Sequence, residues 1–446
     1  MAAEWQQCKI GDLFTLHPGF AFSSRDFTPS GVPVIKIKNV KANGLNLEDF
    51  SYVDRSFLET RSAYIVFPDD ILITLSGNRL DGSKDTWVGK VAQFRERGSY
   101  LLNQRVAVLR PKPDVVVDKR CCSFILSSEA YQQLFIAIAT SSGGQANLSS
   151  SQVLRADIRM PPLAEQRAIA KILGALDDKI ELNRHMNETL EAMARAIFKS
   201  WFVDFDPVRA KAKSRQPFGM DAQTAALFPS SLVDSARGKV PKGWKTGKLD
   251  QIVDIHSGGT PKTSIPEYWN GDVPWFSVVD APRPSDVFVV HTEKSITNAG
   301  ADNSAAVVLP AGTTIISARG TVGKLALMGV PMAINQSCYG ITGRSNFGNY
   351  FTYFHLQDKV DELAQSTHGT VFDTITRQTF GIIDCLVPPP ELTQSFDVLA
   401  KPLLQRILAN LFASRTLGSI RDALLPKLIS GEIRVRDAEK VVGEKV

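Results

Sequence analysis

The stretch AEQRAIAKILGALDDKIELNRHMNETLEAMARAIFKSWF, residues 164–202, decides the architecture. It has no proline, and its one glycine is Gly174. Ile169, Leu173, Leu176, Ile180, Asn183, Asn187, Leu190, Ala194, Ile197 and Trp201 follow one another at alternating steps of four and three. That is a coiled-coil seam with two polar members in its middle. Pro161 and Pro162 stand before it and Asp204 to Pro207 follow, so both helix ends are marked. A small domain cannot bury so long a stripe, and the seam therefore demands a partner helix. Residues 391–417 supply one, carrying Phe396, Leu399, Leu403, Ile407 and Leu411, continued by Ile420, Leu424 and Leu428. Pro402 and Gly418 are expected to kink it.

The two helical stretches occupy equivalent slots in a chain that repeats itself. KIGDL at 9–13 resembles KLDQI at 248–252, and GVPVIK at 31–36 matches DVPWFS at 272–277. FPDDILI at 67–73 matches LPAGTTI at 309–315, and WVGKV at 87–91 matches TVGKL at 321–325. Asn103-Gln104 recur as Asn335-Gln336, and Pro161-Pro162 as Pro389-Pro390. A period this long means two duplicated domains rather than a solenoid. Each copy opens with a region of short β-rich runs punctuated by Gly, Ser, Asn and Pro. Residues 34–38, 70–74, 105–109 and 314–317 read as strands, and 123–139 and 350–364 as helices. The class is α+β rather than alternating βαβ.

Composition sets bounds around this frame. The chain has 446 residues, 43% hydrophobic and 22% charged, which is ordinary for a globular protein and excludes a disordered or collagen-like chain. No apolar run reaches membrane-spanning length, and the first residues lack the pattern of a signal peptide. Five cysteines (Cys8, Cys121, Cys122, Cys338, Cys385) form no CxxC pair, which fits a reducing cytoplasm and argues against structural zinc. The net charge of +5 permits a nucleic-acid partner without demanding one. Residues 246–390 hold more acidic than basic side chains, which keeps open an alternative: a helical protein–protein scaffold that reads no DNA. Residues 203–245 join the copies. They carry Arg209, Lys211, Lys213 and Arg215 and read as an extended, partly ordered connector.

The motifs PPLAEQRAIA at 161–170, LGALDDKI at 173–180, Asn183 and WFVDF at 201–205 resemble the first central region of the specificity subunit of type I restriction-modification systems. LLPKLISGEI at 424–433 resembles the end of that family's second central region. The resemblance covers essentially the whole chain. It implies two tandem α+β target-recognition domains separated by two long antiparallel coiled-coil helices, an internal repeat with pseudo-two-fold symmetry. The implied domains are 1–162 and 246–390, with central helices at 163–205 and 391–432, a connector at 206–245 and a tail at 433–446. The implied function is recognition of a bipartite double-stranded DNA target, without catalysis by this chain. The implied partners are two modification subunits and the restriction subunits, which would carry S-adenosylmethionine, ATP and magnesium. One departure stands out: Thr393 aligns opposite Glu165, so no contact of Glu165 carries over to the second copy.

The residues themselves offer no chemistry of their own. There is neither an Asn/Asp-Pro-Pro-aromatic loop nor a Gly-rich cofactor turn. ARGTVGK at 318–324 mimics a phosphate loop but has Ala318 for its first glycine and Leu325 for the magnesium-binding hydroxyl residue. Base reading needs polar side chains near groove edges, with Arg and Lys on phosphates. Asn78, Arg79 and Lys84 share one loop, and its counterpart offers Arg319 and Lys324. A second matched pair of loops offers Gln145 and Asn147, then His368 and Thr370, while Lys36, Lys38 and Asn39 suit a strand edge. Glu165, Asp177, Asp178, Lys179 and Glu181 lie off the seam and are the candidates for partner docking.

Overall fold

The structure, a computed structural model, describes residues 5–41, 44–47, 49–79, 84–142, 145–235, 238–365 and 374–443. It divides into two compact units, Met1–Asp178 with Leu417–Val446 and Lys179–Thr416. No helix among the described residues is long and apolar enough to cross a membrane.

The seam of residues 164–202 lies on one unbroken helix, Leu163–Phe202, and its partner is Pro390–Ser430. Each helix runs through both units. In the second unit Asn410 Nδ2 donates to Asn187 Oδ1 at 2.9 Å, and Asn183 Nδ2 donates to Ser414 Oγ at 3.1 Å. Four residues forward on one helix answer four residues back on the other, so the pair is antiparallel. The Trp201 and Phe396 rings keep that register, with centroids 6.1 Å apart. In the first unit Arg421 Nη1 donates to Asp177 Oδ1 at 2.8 Å. All ten seam positions of the first helix are buried or half-buried. The second helix differs from expectation at Leu399, which is exposed. Its inward face runs Phe396, Ala400, Leu403, Ile407, Asn410, Ser414, Leu417, Arg421, Leu424 and Leu428. Small and polar residues at 400, 410, 414 and 421 hid this register from a reading by apolar side chains alone. Pro402 and Gly418 both sit inside the continuous helix.

The repeat is visible in the sheets. In the first unit one sheet runs Val91–Gln93, Ile71–Thr74, Val106–Pro111, Phe14–Pro18; in the second its counterpart runs Leu325–Met328, Thr314–Ser317, Cys338–Gly343, Val253–Ser257 and adds Phe288–Val289 at the Leu325–Met328 edge. Each unit also pairs an early strand in parallel with a late one, Val32–Ile35 with Tyr100–Leu102 and Trp269–Phe276 with Ala333–Ile334. The expected strand at 34–38 stops at Ile35, and residues Ile37–Asn39 form a 3-10 turn instead. The helix expected at 123–139 is two, Lys119–Ser127 and Glu129–Ile138, broken at Ser128 in an extended conformation. Serine at 127 and 128 explains the break, since its hydroxyl favours helix ends over interiors. The helix expected at 350–364 spans Asn349–Gln365.

The connector is not extended. It forms helices Asp206–Ala212 and Ala222–Ala226 and an antiparallel hairpin, Leu232–Ser235 with Gly238–Pro241. Val208, Phe228 and Trp244 are buried in the core of the second unit, beside Phe198, Phe202, Phe351 and Phe396. Lys211 from its basic run donates to the carbonyls of Ala225 and Phe228, so that charge holds the segment's own backbone.

Candidate nucleic-acid interface

In the first unit the strand Ile71–Thr74 delivers the chain to an exposed loop. Asn78 N donates to Thr86 O at 2.8 Å and Val88 N to Asn78 O at 2.8 Å, which closes the loop on itself. Asn78, Arg79 and Lys84 are exposed on it. Arg79 Nη2 donates to Ala139 O at 2.7 Å, and Lys84 Nζ lies 3.9 Å from Glu129. Beside this loop is the hairpin Thr140–Ser142 with Gln145–Asn147. The two are joined, because Ser76 Oγ donates to Asn147 Oδ1 at 2.8 Å and Arg105 Nη1 reaches the same oxygen at 3.2 Å. Gln145 is exposed and Asn147 half-buried. The structure therefore brings both expected loops of the first copy together, braced by Arg105, which the sequence reading passed over.

The third element is the segment after Ile35. Lys38 is exposed and pairs with Asp49 at 2.7 Å. Lys36 Nζ donates to Ser51 Oγ at 2.8 Å and lies 3.7 Å from the Phe27 ring centroid; burial holds its ammonium below the usual lysine range. Asn39 is no base reader. It is 1% exposed, accepts from Lys36 N at 2.9 Å and donates to the carbonyls of Asn46 and Asp49. Asp280 braces the matching turn of the second copy as an acceptor only, from Ser277 N at 2.8 Å and Glu293 N at 2.6 Å. Polar character at a strand end looked like a reading residue, yet it is the brace of a turn.

In the second unit Arg319 and Lys324 are exposed on the loop after Thr314–Ser317. Lys324 N donates to Ser317 Oγ at 2.8 Å and Gly323 N to Ser317 O at 3.0 Å. Gly320 and Gly323 take φ of 77° and 86°, a left-handed backbone that glycine adopts without strain. A strand, Leu325–Met328, follows the loop, so the ARGTVGK segment lacks the helix N-terminus a phosphate loop needs. His368 and Thr370 lie outside the described residues.

Three of the five charged docking candidates, Asp177, Asp178 and Glu181, are engaged by the chain itself. Asp178 receives Arg120 at 2.7 Å and Arg95 at 3.0 Å, both from the first unit, and these guanidiniums hold its carboxyl below the usual range. Asp177 pairs with Arg421, and Glu181 with Arg184 and His185. Glu165 and Lys179 are half-buried. Among the exposed residues of these helices are also apolar ones: Leu182 and Met193 on the first, Val398, Leu399 and Phe412 on the second. Leu182, Met186, Thr189 and Met193 repeat the four-three spacing on a face turned from the seam, a signal the sequence carried.

Among the described residues no group of His, Cys, Asp and Glu is placed to hold a metal ion. Cys121, Cys122, Cys338 and Cys385 are buried, and for the first three burial pushes the thiol far up.

Residues 2–192 and 241–397 match the family profile described as the type I restriction modification DNA specificity domain. The chain is 28% identical over 378 residues to the type I restriction enzyme HindI specificity subunit of Haemophilus influenzae, covering 75% of this chain and 82% of that one. It is 27% identical over 316 residues to the MjaIX specificity subunit of Methanocaldococcus jannaschii, covering 66% and 65%. Its fold is similar to the crystal structure of the type I restriction-modification S subunit from M. genitalium, with a TM-score of 0.52, 17% identity, and 95% and 96% of the two chains covered.

Proposed function

The chain belongs to the family of DNA specificity subunits of type I restriction-modification systems, and on that premise we propose that its two domains read the two halves of one split double-stranded DNA site. It is the non-catalytic recognition component, and it assembles with other subunits of the system and with DNA. The observation that carries the two-reader proposal is the recurrence of exposed polar loops in matched slots with unlike side chains. The loop that carries Asn78, Arg79 and Lys84 in one copy stands where the loop that carries Arg319 and Lys324 stands in the other. A duplicated scaffold with divergent loops is what two readers of different half-sites require.

The apolar outer positions of the helices, Leu182, Met193, Leu399 and Phe412, are the surface on which modification subunits dock, one for each half of the repeat. Restriction subunits join that core. S-adenosylmethionine, ATP and magnesium belong to these partners, and the complex works in the cytoplasm. Exchanging residues 9–160 for the same region of a related subunit tests the reading. Mapping methylated adenines should then show one half of the motif changed and the other retained; a change in both halves would refute it.

A further inference from the structure

The motif Val-Gly-Lys occurs in both copies, at 88–90 and at 322–324, and its two lysines have opposite fates. Lys324 is exposed. Lys90 is 2% exposed, and its backbone is fixed from both sides by Thr74: Lys90 N donates to Thr74 Oγ1 at 2.9 Å and Lys90 O accepts from Thr74 N at 2.9 Å. From this anchor the ammonium reaches three backbone carbonyls. It donates to Val40 O at 2.5 Å, to Ile37 O at 3.3 Å and to Asp85 O. An ammonium has three N–H donors and no acceptor, so every donor has a partner.

The carbonyls belong to two different segments. Ile37 and Val40 lie in the segment that presents Lys36 and Lys38; Asp85 lies in the turn Lys84–Thr86. Lys41 and Asp85 form a second link between them at 3.5 Å. We propose that Lys90 is a positioning residue that sets the placement of these two segments relative to each other, and through it the half-site specificity of the first domain. This rests on the reading that Lys38, Arg79 and Lys84 face DNA. Burying an ammonium is costly unless all of its donors are met, and at Lys90 they are met only while both segments hold their places. Sub-ångström errors in such a placement misalign bidentate base contacts, so the staple acts on discrimination rather than on overall attraction to DNA. Among the described residues the second domain shows no such link through Lys324, which is exposed.

The test uses the full chain assembled with its modification subunits and duplexes altered in one half-site at a time, once the methylated motif is mapped. Lys90→Met should lower discrimination at the first half-site about tenfold, leave the second half-site and the affinity for unrelated duplex unchanged, and raise hydrogen exchange in 37–41 and 84–87. Lys90→Gln, which keeps two donors, should recover part of the loss; Lys324→Met should show no change in exchange. If Lys90→Met does not fold, reductive methylation of the native chain decides: Lys90 should stay unmodified while Lys84 and Lys324 react, and modification of Lys90 would overturn the inference. Should Arg79→Ala with Lys84→Ala spare first-half discrimination, the DNA-facing assignment of these loops falls. Should that pair abolish it while Lys90→Met leaves both discrimination and exchange as in the parent, the positioning role alone falls.

Discussion

Gln166 Oε1 accepts the backbone N–H of Asp118 at 2.9 Å, and Thr393 Oγ1 accepts that of Gly348 at 3.1 Å. Each donor is the residue immediately before a domain helix, Lys119–Ser127 in one copy and Asn349–Gln365 in the other. Each acceptor sits in the first turn of a long helix. The structural counterpart of Thr393 is therefore Gln166, and the pairing with Glu165 drawn from the sequence is off by one. Both side chains are buried. Thr393→Val keeps the shape and strands the Gly348 N–H, which should cost about 1–3 kcal/mol in urea unfolding. Thr393→Ser should stay close to the parent, and equal losses for both variants would show that the methyl group, not the hydroxyl, carries the stability.

Asp397 completes the same junction in the second unit, accepting from Phe351 N at 2.8 Å and Tyr350 N at 3.1 Å. Burial pushes its carboxyl from 3.8 up to about 6, partly offset by these N–H groups. Between those values the folded chain binds more protons than the unfolded one, so this group's contribution falls as pH rises from about 4 to about 6 and stays low at neutral pH. Asp397→Asn should flatten that part of the stability profile. Unfolding midpoints measured across the window check it, and an unaltered slope would place the titration elsewhere.

The polar layer of the helix pair yields a sharper expectation than two asparagines read in one seam. Asn410 is buried and donates to Asn187. Replacing Asn187 alone by leucine strands it and should cost about 1–3 kcal/mol. Replacing both Asn187 and Asn410 by leucine should recover the part of the loss due to Asn410, but not the part due to Asp286, which also accepts from Asn187 Nδ2 at 3.5 Å. Thermal melts of the two singles and the double form the cycle; a double variant as weak as the sum of the singles would mean the layer is not a coupled pair.

The helices were legible because two long stripes occupy equivalent slots of the repeat, and Asn183 and Asn187 betrayed their polar layer. The partner register was harder: Ala400, Ser414 and Arg421 face inward while Leu399 faces out, so hydrophobicity alone chose the wrong member at 399. The connector was misread because Val208, Phe228 and Trp244 are too far apart in sequence to show periodicity, though they meet in one core. The loops were found by their place in the repeat. Sequence could not separate Asn39, which braces a turn, from Asn78, which is exposed on one, since both are asparagines after a strand.

The same limit affected docking. Asp178→Lys breaks a clamp with Arg95 and Arg120 inside the first unit, so it should lower the melting temperature of the isolated chain. Leu182→Glu with Met193→Glu alters exposed positions and should leave that temperature within about 2 °C, since such surface changes are worth little. It should nevertheless weaken co-purification with the modification subunit. Intact assembly would remove this face from consideration as the dock.

Arg79 and Lys84 share one loop but differ in what they can offer DNA. A guanidinium can meet a guanine edge with two parallel donors, a contact worth about 1–3 kcal/mol of discrimination. An ammonium on a flexible stem is a point charge suited to phosphate. In the free chain Arg79 donates to Ala139 O, a neutral contact at an exposed position that a base edge can replace. Lys84 is 65% exposed and only 3.9 Å from Glu129, a weak surface pair that costs little to give up. Arg79→Ala should therefore relax one base position in the first half-site and leave affinity for unrelated duplex nearly unchanged. Lys84→Ala should weaken all duplexes alike and reduce the slope of log Kd against log salt by about 1. Binding titrations at several salt concentrations, with duplexes altered one base pair at a time, separate the two. If Arg79→Ala instead weakens every duplex equally and flattens the salt slope, Arg79 contacts phosphate, and base reading in this domain passes to Asn78 and Gln145, the exposed amides beside it.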